Sequence, residues 1–258
     1  MDLHLVRKGS GPPLVLLPGT SSDWRVFAPV IDRLASDRDV LVVDLPGFGG
    51  SPELAADVTP DPPALARAVV DFVSGLGIER PHVAGNSLGA AVALEIGALS
   101  EAATVCALAP IGFWTDREAD FCVTSIVNQR DLAERVPEAV RRTLLGFTPT
   151  RTLMLNQVFA RPWRIPPDQA VALSETAKPG LDRVMDAYRR YRFTAADRID
   201  CPVTVAWGTR DWLLIPREGR RVRRVLPRAR MVWLEGLGHV SMWDDPDRVA
   251  DLLLETSS

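Results

Sequence analysis

Three cysteines, Cys106, Cys122 and Cys201, are all that 258 residues contain. They lie far apart and form no CxxC pair, which excludes a zinc ribbon or a disulfide scaffold and fits a reducing cytoplasm. Lysine is scarcer still: only Lys8 and Lys178 occur, so 28 of the 30 basic residues are arginine, a bias that codon usage explains without any function. The formal net charge is -3, so the chain offers no overall cationic field to a nucleic acid or an anionic membrane. Long apolar runs are missing too. The most apolar stretches, Leu14 to Leu17 and Val40 to Val43, fall far short of the ~20 residues that span a bilayer. Met1 to Lys8 carries no charged region followed by an apolar one, so no signal peptide is expected and the predicted location is cytoplasmic. There is no internal repeat and no low-complexity tract.

What is present is the composition of a globular protein, 47% hydrophobic and 24% charged, long enough to bury a substantial core. Short apolar runs stopped by Gly or Pro recur at Leu3–Arg7, Leu14–Leu17, Val40–Val43, His82–Ala84 and Val105–Ala109. Between them, Trp24–Leu34, Ala64–Leu76 and Leu88–Leu99 carry apolar residues at three and four spacing, as amphipathic helices do. Strands alternating with helices imply a mostly parallel sheet covered on both faces. The alternation stops after Pro110. From Gly112 to Ala195 only helical candidates appear (Ala119–Ala133, Pro137–Leu145, Arg151–Val158, Asp168–Thr176, Leu181–Tyr191), parted by Pro137, Pro149, Pro162, Pro166-Pro167 and Pro179. Strand signals return at Val203–Trp207 and Met231–Leu234, followed by helices at Arg217–Leu226 and Pro246–Leu254. The expectation is one α/β core from 1–111 and 196–258, interrupted by a helical lid over 112–195.

In parallel sheets ligands bind beyond the carboxyl ends of the strands, so residues just after each strand deserve scrutiny. Gly85-Asn86-Ser87-Leu88-Gly89 follows one strand and opens a helix, matching G-x-S-x-G. Side chains at Gly85 and Gly89 would collide in so sharp a turn, while Ser87 is held exposed at the helix N-terminus. A plain helix-capping serine is the alternative. A serine hydroxyl is a poor nucleophile without a base and a group that orients the base. Of the three histidines, His4 and His82 read as structural, and His239, in the loop Gly236-Leu237-Gly238-His239, can face the carboxyl edge. Asp211, after Val203–Trp207, stands where an orienting carboxylate belongs, although a turn aspartate would also suit it. For an oxyanion, backbone N–H groups of Leu88 and of Thr20 (second choice Ser21) are the candidates. The loop Asp44 to Ser51 lacks the lysine of a phosphate-binding loop, so nucleotide binding is not expected.

Taken together, the elbow at Ser87, the D-x-P-G-x-G-x-S-like loop at Asp44 to Ser51, Asp211 and Gly238-His239 make the chain resemble the α/β-hydrolase superfamily over nearly its whole length. The resemblance implies an eight-stranded mostly parallel sheet with a lid after the sixth strand. Only one strand precedes Leu14, so seven are expected, and Pro18-Gly19 stands where the family has His-Gly. A serine at the elbow argues against the similar haloalkane dehalogenase and epoxide hydrolase branches, which use aspartate. It favours acyl transfer through Ser87, Asp211 and His239, on carboxylic esters or related acyl compounds, with no cofactor and no metal. The resemblance leaves open a carbon-carbon bond hydrolase of ring-cleavage diketones, a cofactor-free perhydrolase and a slow-turnover ligand receptor. Trp24, Phe113, Trp114 and Trp243, close to the candidate loops, are the expected walls of an apolar pocket, and the other lid aromatics are expected to be packing residues. Arg217, Arg220, Arg221, Arg224 and Arg228 fall on one face of a helix and read as a solvated surface. The expected partner is a small acyl substrate, with no nucleic acid and no membrane; nothing here indicates an oligomeric state.

Overall fold

The computed structural model describes residues 1–174 and 181–258, with side chains from 184 onward in the second segment. Its centre is a seven-stranded sheet in the order β1-β3-β2-β4-β5-β6-β7. The strands are β1 (Leu5–Gly9), β2 (Pro13–Leu17), β3 (Asp39–Val43), β4 (His82–Asn86), β5 (Thr104–Leu108), β6 (Val203–Gly208) and β7 (Arg230–Leu234). Only β1 runs antiparallel, pairing with β3. It starts two residues later than the sequence suggests, which leaves His4 outside the strand.

Why the strands look continuously apolar is visible in where alternate residues go. Val15 and Leu17 of β2, with Leu41 and Val43 of β3, join one buried layer, while Leu14, Leu16, Val40 and Val42 join the other. Both faces are therefore dry, as a parallel sheet requires. The first layer is closed by α2 (Pro62–Gly75), α3 (Leu88–Ala98) and α9 (Pro216–Val225), the second by α1 (Ala28–Leu34) and α11 (Pro246–Thr256). All eleven residues of α3 are buried, which explains a helix apolar on every side.

Between β5 and β6 lie α4 (Asp116–Arg135), α5 (Glu138–Gly146), α6 (Thr148–Leu155), α7 (Pro167–Ser174) and α8 (Leu181–Arg190), with no strand among the described residues of this stretch. The last two residues of the expected helix Asp168–Thr176, Lys178 and Pro179 lie outside the described residues. Several helix starts differ from the sequence reading for one physical reason. Pro149 was expected to separate helices, yet α6 begins at Thr148 with that proline in its first turn; Pro62-Pro63 likewise open α2 behind the Asp61 cap. A proline there gives up only an amide that has no helical partner anyway. A short α10 (Ser241–Asp244) precedes α11. No helix among the described residues is long and apolar enough to cross a membrane.

Candidate active site

The turn from β4 into α3 carries Ser87 at φ 59°, ψ -113°, a left-handed conformation that costs free energy for any residue with a Cβ. The neighbouring glycines make the turn possible. A Cβ on Gly85 would overlap the Gly89 carbonyl group, and one on Gly89 would overlap the Leu17 and Pro18 carbonyl oxygens. Ser87 is anchored at its backbone: its N–H donates to Leu108 O at 2.9 Å, and its carbonyl accepts from Ala91 N and Ile111 N. Although Ser87 is the N-cap of α3, its side chain makes no capping hydrogen bond, so the hydroxyl is not spent on holding the helix.

The histidine and the acid meet. His239 Nδ1 lies 2.7 Å from Asp211 Oδ2, with both side chains almost fully buried. A carboxylate only accepts, so Nδ1 carries the hydrogen and Nε2 is left as the basic nitrogen. Asp211 serves as a turn aspartate as well, since its other oxygen accepts from Leu213 N at 2.9 Å and Leu214 N at 2.8 Å. Those amides fix the carboxylate so that one oxygen stays available to the imidazole.

Asn86, the unspecified residue before the serine, was not singled out by the motif. Its Nδ2 donates to His239 O at 3.0 Å and to Leu108 O at 3.2 Å, tying the elbow to the histidine loop. Asp244 anchors that loop from behind: it accepts from Gly238 N, Ala160 N and Arg161 N at 2.7, 3.0 and 2.7 Å. The loop after β2 comes equally close. A Cβ on Gly19 would lie 3.2 Å from Ser87 Cβ, which sets Thr20 beside the serine. Neither the Thr20 nor the Leu88 N–H has a hydrogen-bond partner among the described residues.

The other histidines are occupied elsewhere. His82 Nδ1 sits 2.9 Å from Thr104 Oγ1, and burial lowers its pKa. His4 Nδ1 lies 2.8 Å from Asp44 Oδ2 at the carboxyl edge of β3. Asp44 also accepts from Trp24 N and Gly50 N, so it ties the glycine loop to the segment after Thr20.

The four aromatic candidates fall into two pairs. Phe113 and Trp114 are buried in the first layer, where the Phe113 ring centroid is 5.9 Å from that of Phe193 and Trp114 Nε1 donates to Tyr191 O. Trp24 and Trp243 are half-buried against the second. Of the other insertion aromatics, Phe159, Tyr188 and Tyr191 are buried, whereas Phe121 and Trp163 are exposed.

Charge gathers behind Asp211 in a way the sequence reading missed. Glu118 of α4, with a 5% exposed side chain, is held by Arg217 (2.5 Å) and Arg221 (2.7 Å) of α9, so two arginines of the supposed solvated stripe are ion-paired. Burial would raise the Glu118 pKa, but the hydrogen bonds from Arg221, Thr115 and Arg217 outweigh it and hold it at about 2. Glu218, next to Arg217 on α9, forms no ion pair among the described residues, and the charge of Arg221 only partly offsets its burial. Burial first, then the neighbouring charges of Glu118 and Asp211, push its carboxyl up to about 8. The Thr115-x-x-Glu118 capping box is readable in sequence, but its tertiary partners about a hundred residues on are not. No group of three or more His, Cys, Asp or Glu side chains that could hold a metal occurs among the described residues.

A serine on a sharp strand-to-helix turn, a carboxylate-held imidazole and two amides without partners among the described residues, at the carboxyl edge of a largely parallel sheet, are the features of an α/β hydrolase. A model of the alpha/beta hydrolase family matches residues 14–252, and the chain belongs to that family. It is 31% identical over 252 residues, 95% of this chain and 93% of the relative, to the "Putative carbamate hydrolase RutD" of Pseudomonas savastanoi pv. phaseolicola. Among solved structures it is similar to the enol-lactonase of Burkholderia xenovorans LB400 (19% identity, TM-score 0.74, 98% and 95% of the two chains). It is also similar to a thermophilic esterase of Thermogutta terrifontis (22%, 0.73, 98% and 92%). At these identities the solved structures speak for the fold alone.

Proposed function

We propose that the protein is a serine hydrolase that cleaves carboxylic ester or related acyl bonds of a small substrate through an acyl-enzyme on Ser87. The observation that carries this is the strained, uncapped Ser87 tied through Asn86 to the His239–Asp211 pair. In this reading Ser87 Oγ attacks the carbonyl carbon while His239 Nε2 takes its proton. The Thr20 and Leu88 N–H groups receive the oxyanion, each worth ~3 to 4 kcal/mol of barrier. His239 then returns the proton to the leaving group, Asp211 steadies the imidazolium, and water releases the acyl group by the same route. The helices over 112–195 form a cap, and Trp24 and Trp243 on one side with Phe113 and Trp114 on the other supply apolar walls. Carbamates, in which nitrogen replaces the carbon attached to the carbonyl, are a second substrate class, favoured by the name of the similar Pseudomonas protein.

A fluorophosphonate probe should label Ser87, and Ser87→Ala should abolish both labelling and turnover of p-nitrophenyl esters. An unlabelled native protein, or a fully active alanine variant, overturns the proposal.

A further inference from the structure

Tyr188 of α8 is 2% exposed, and its phenol points to the loop after β2, with the Thr20 side chain beside it. Nevertheless its hydroxyl oxygen is buried without a hydrogen-bond partner of acceptable geometry among the described residues. An unpaired buried hydroxyl is costly: forgoing its hydrogen bonds to water sacrifices stability that a leucine or phenylalanine in the same place would keep. The ring itself is well used, packed in the layer that holds Phe113 and Trp114. What the fold leaves unexplained is the oxygen, which lies one side chain away from the N–H assigned to the oxyanion.

We propose that the Tyr188 hydroxyl is a substrate-binding donor that selects acyl groups carrying a hydrogen-bond acceptor close to the scissile carbonyl over plain alkyl groups. It rests on Ser87 being the nucleophile, since the loop that carries Thr20 stands beside that serine. Burial drives the phenol well above its ordinary pKa, so it stays protonated and able to donate wherever His239 can act as base. An alkyl chain leaves the hydroxyl with only the poorly aligned Thr20 side chain in reach, whereas an ether or amide oxygen in the same place pairs with it. A site built around such a donor discriminates strongly against the analogue that lacks the acceptor. The cap thereby contributes to specificity directly, through a polar group, as well as by enclosure.

The test compares native protein with Tyr188→Phe on two esters of matched size, p-nitrophenyl butyrate and p-nitrophenyl methoxyacetate, which differ by one CH2-to-oxygen exchange. The expected result is a 10- to 100-fold fall in kcat/KM for the methoxyacetate only, with butyrate unchanged or improved and Tm not lowered. A parallel measurement needs no turnover: protection of Ser87 from fluorophosphonate by methoxymethylboronic acid should weaken in the variant, and protection by propylboronic acid should not. Equal falls for both esters together with a lowered Tm would show a purely structural tyrosine and overturn the proposal, as would no change for either. Native protein that takes no label at Ser87 overturns the nucleophile assignment and this proposal together, which separates that failure from the failure of Tyr188 alone.

Discussion

Glu218→Gln is expected to stabilise the protein, and to do so by an amount that grows with pH. Glu218 is 1% exposed, its Oε1 accepts from Ile215 N at 3.2 Å, and its other oxygen is buried without a partner among the described residues. In the folded chain burial and the charges of Glu118 and Asp211 hold its pKa at about 8 against an ordinary 4.5. The unfolded chain therefore releases this proton above pH 4.5 while the folded chain keeps it to about pH 8. Across that window the folded state binds more protons, so rising pH favours unfolding. At about 1.4 kcal/mol per pH unit the whole interval is worth up to about 5 kcal/mol, and about 3 kcal/mol of it has accrued by pH 7. Glutamine keeps the acceptor for Ile215, mimics the protonated acid and carries none of this cost. Urea unfolding of both proteins at unit steps from pH 5 to pH 9 reads the difference. The advantage of the glutamine variant should climb to about pH 8 and then level off. A gap of constant size from pH 5 to pH 9 would show that Glu218 titrates as an ordinary carboxylate and would refute the account.

The remaining predictions concern the elbow and the thiols. Gly89→Ala should cost roughly 3 kcal/mol or more in denaturant unfolding, because its Cβ meets the fixed carbonyls of Leu17 and Pro18, and Ser87 should lose its label with it; an alanine variant of native stability would refute the steric role. Thiol titration of the native protein at pH 8 should find at most one reactive cysteine, the half-buried Cys201, and no loss of fluorophosphonate labelling at Ser87. Burial pushes Cys106 to about 12, and burial with Glu218 and Asp211 nearby raises Cys122 well above its ordinary value. Rapid reaction of two or three thiols would refute that assignment.

The parts legible in the sequence are those whose physics is local. The sheet announces itself because each of β2 to β6 must be apolar on both faces, and the elbow because only glycine fits at positions 85 and 89. Ser87, Asp211 and His239 each follow a strand by a few residues, so a reading of strand ends finds them in order. Helix boundaries were misjudged where a proline opens a helix, since punctuation and initiation use the same residue. What escaped is the support. Asn86 reaches His239 across 153 residues, and Arg217 reaches Glu118 across 99. Such pairs leave no periodic trace because neither partner's neighbours depend on the other.

These supports have a common direction, and it bears on how the cap and the chemistry are joined. Asp244 binds Gly238 N in the histidine loop and, with the same carboxylate, Ala160 N and Arg161 N in the inserted segment. Glu118, in the first turn of α4, binds the helix that follows the Asp211 loop. Tyr188 extends from α8 to the Thr20 loop. Three different pieces of the insertion thus contact the His239 loop, the helix after the Asp211 loop and the Thr20 loop. Buried charge-assisted hydrogen bonds are costly to break one-sidedly, so the insertion cannot shift at Asp244 without disturbing the His239 loop, nor at Glu118 without disturbing α9.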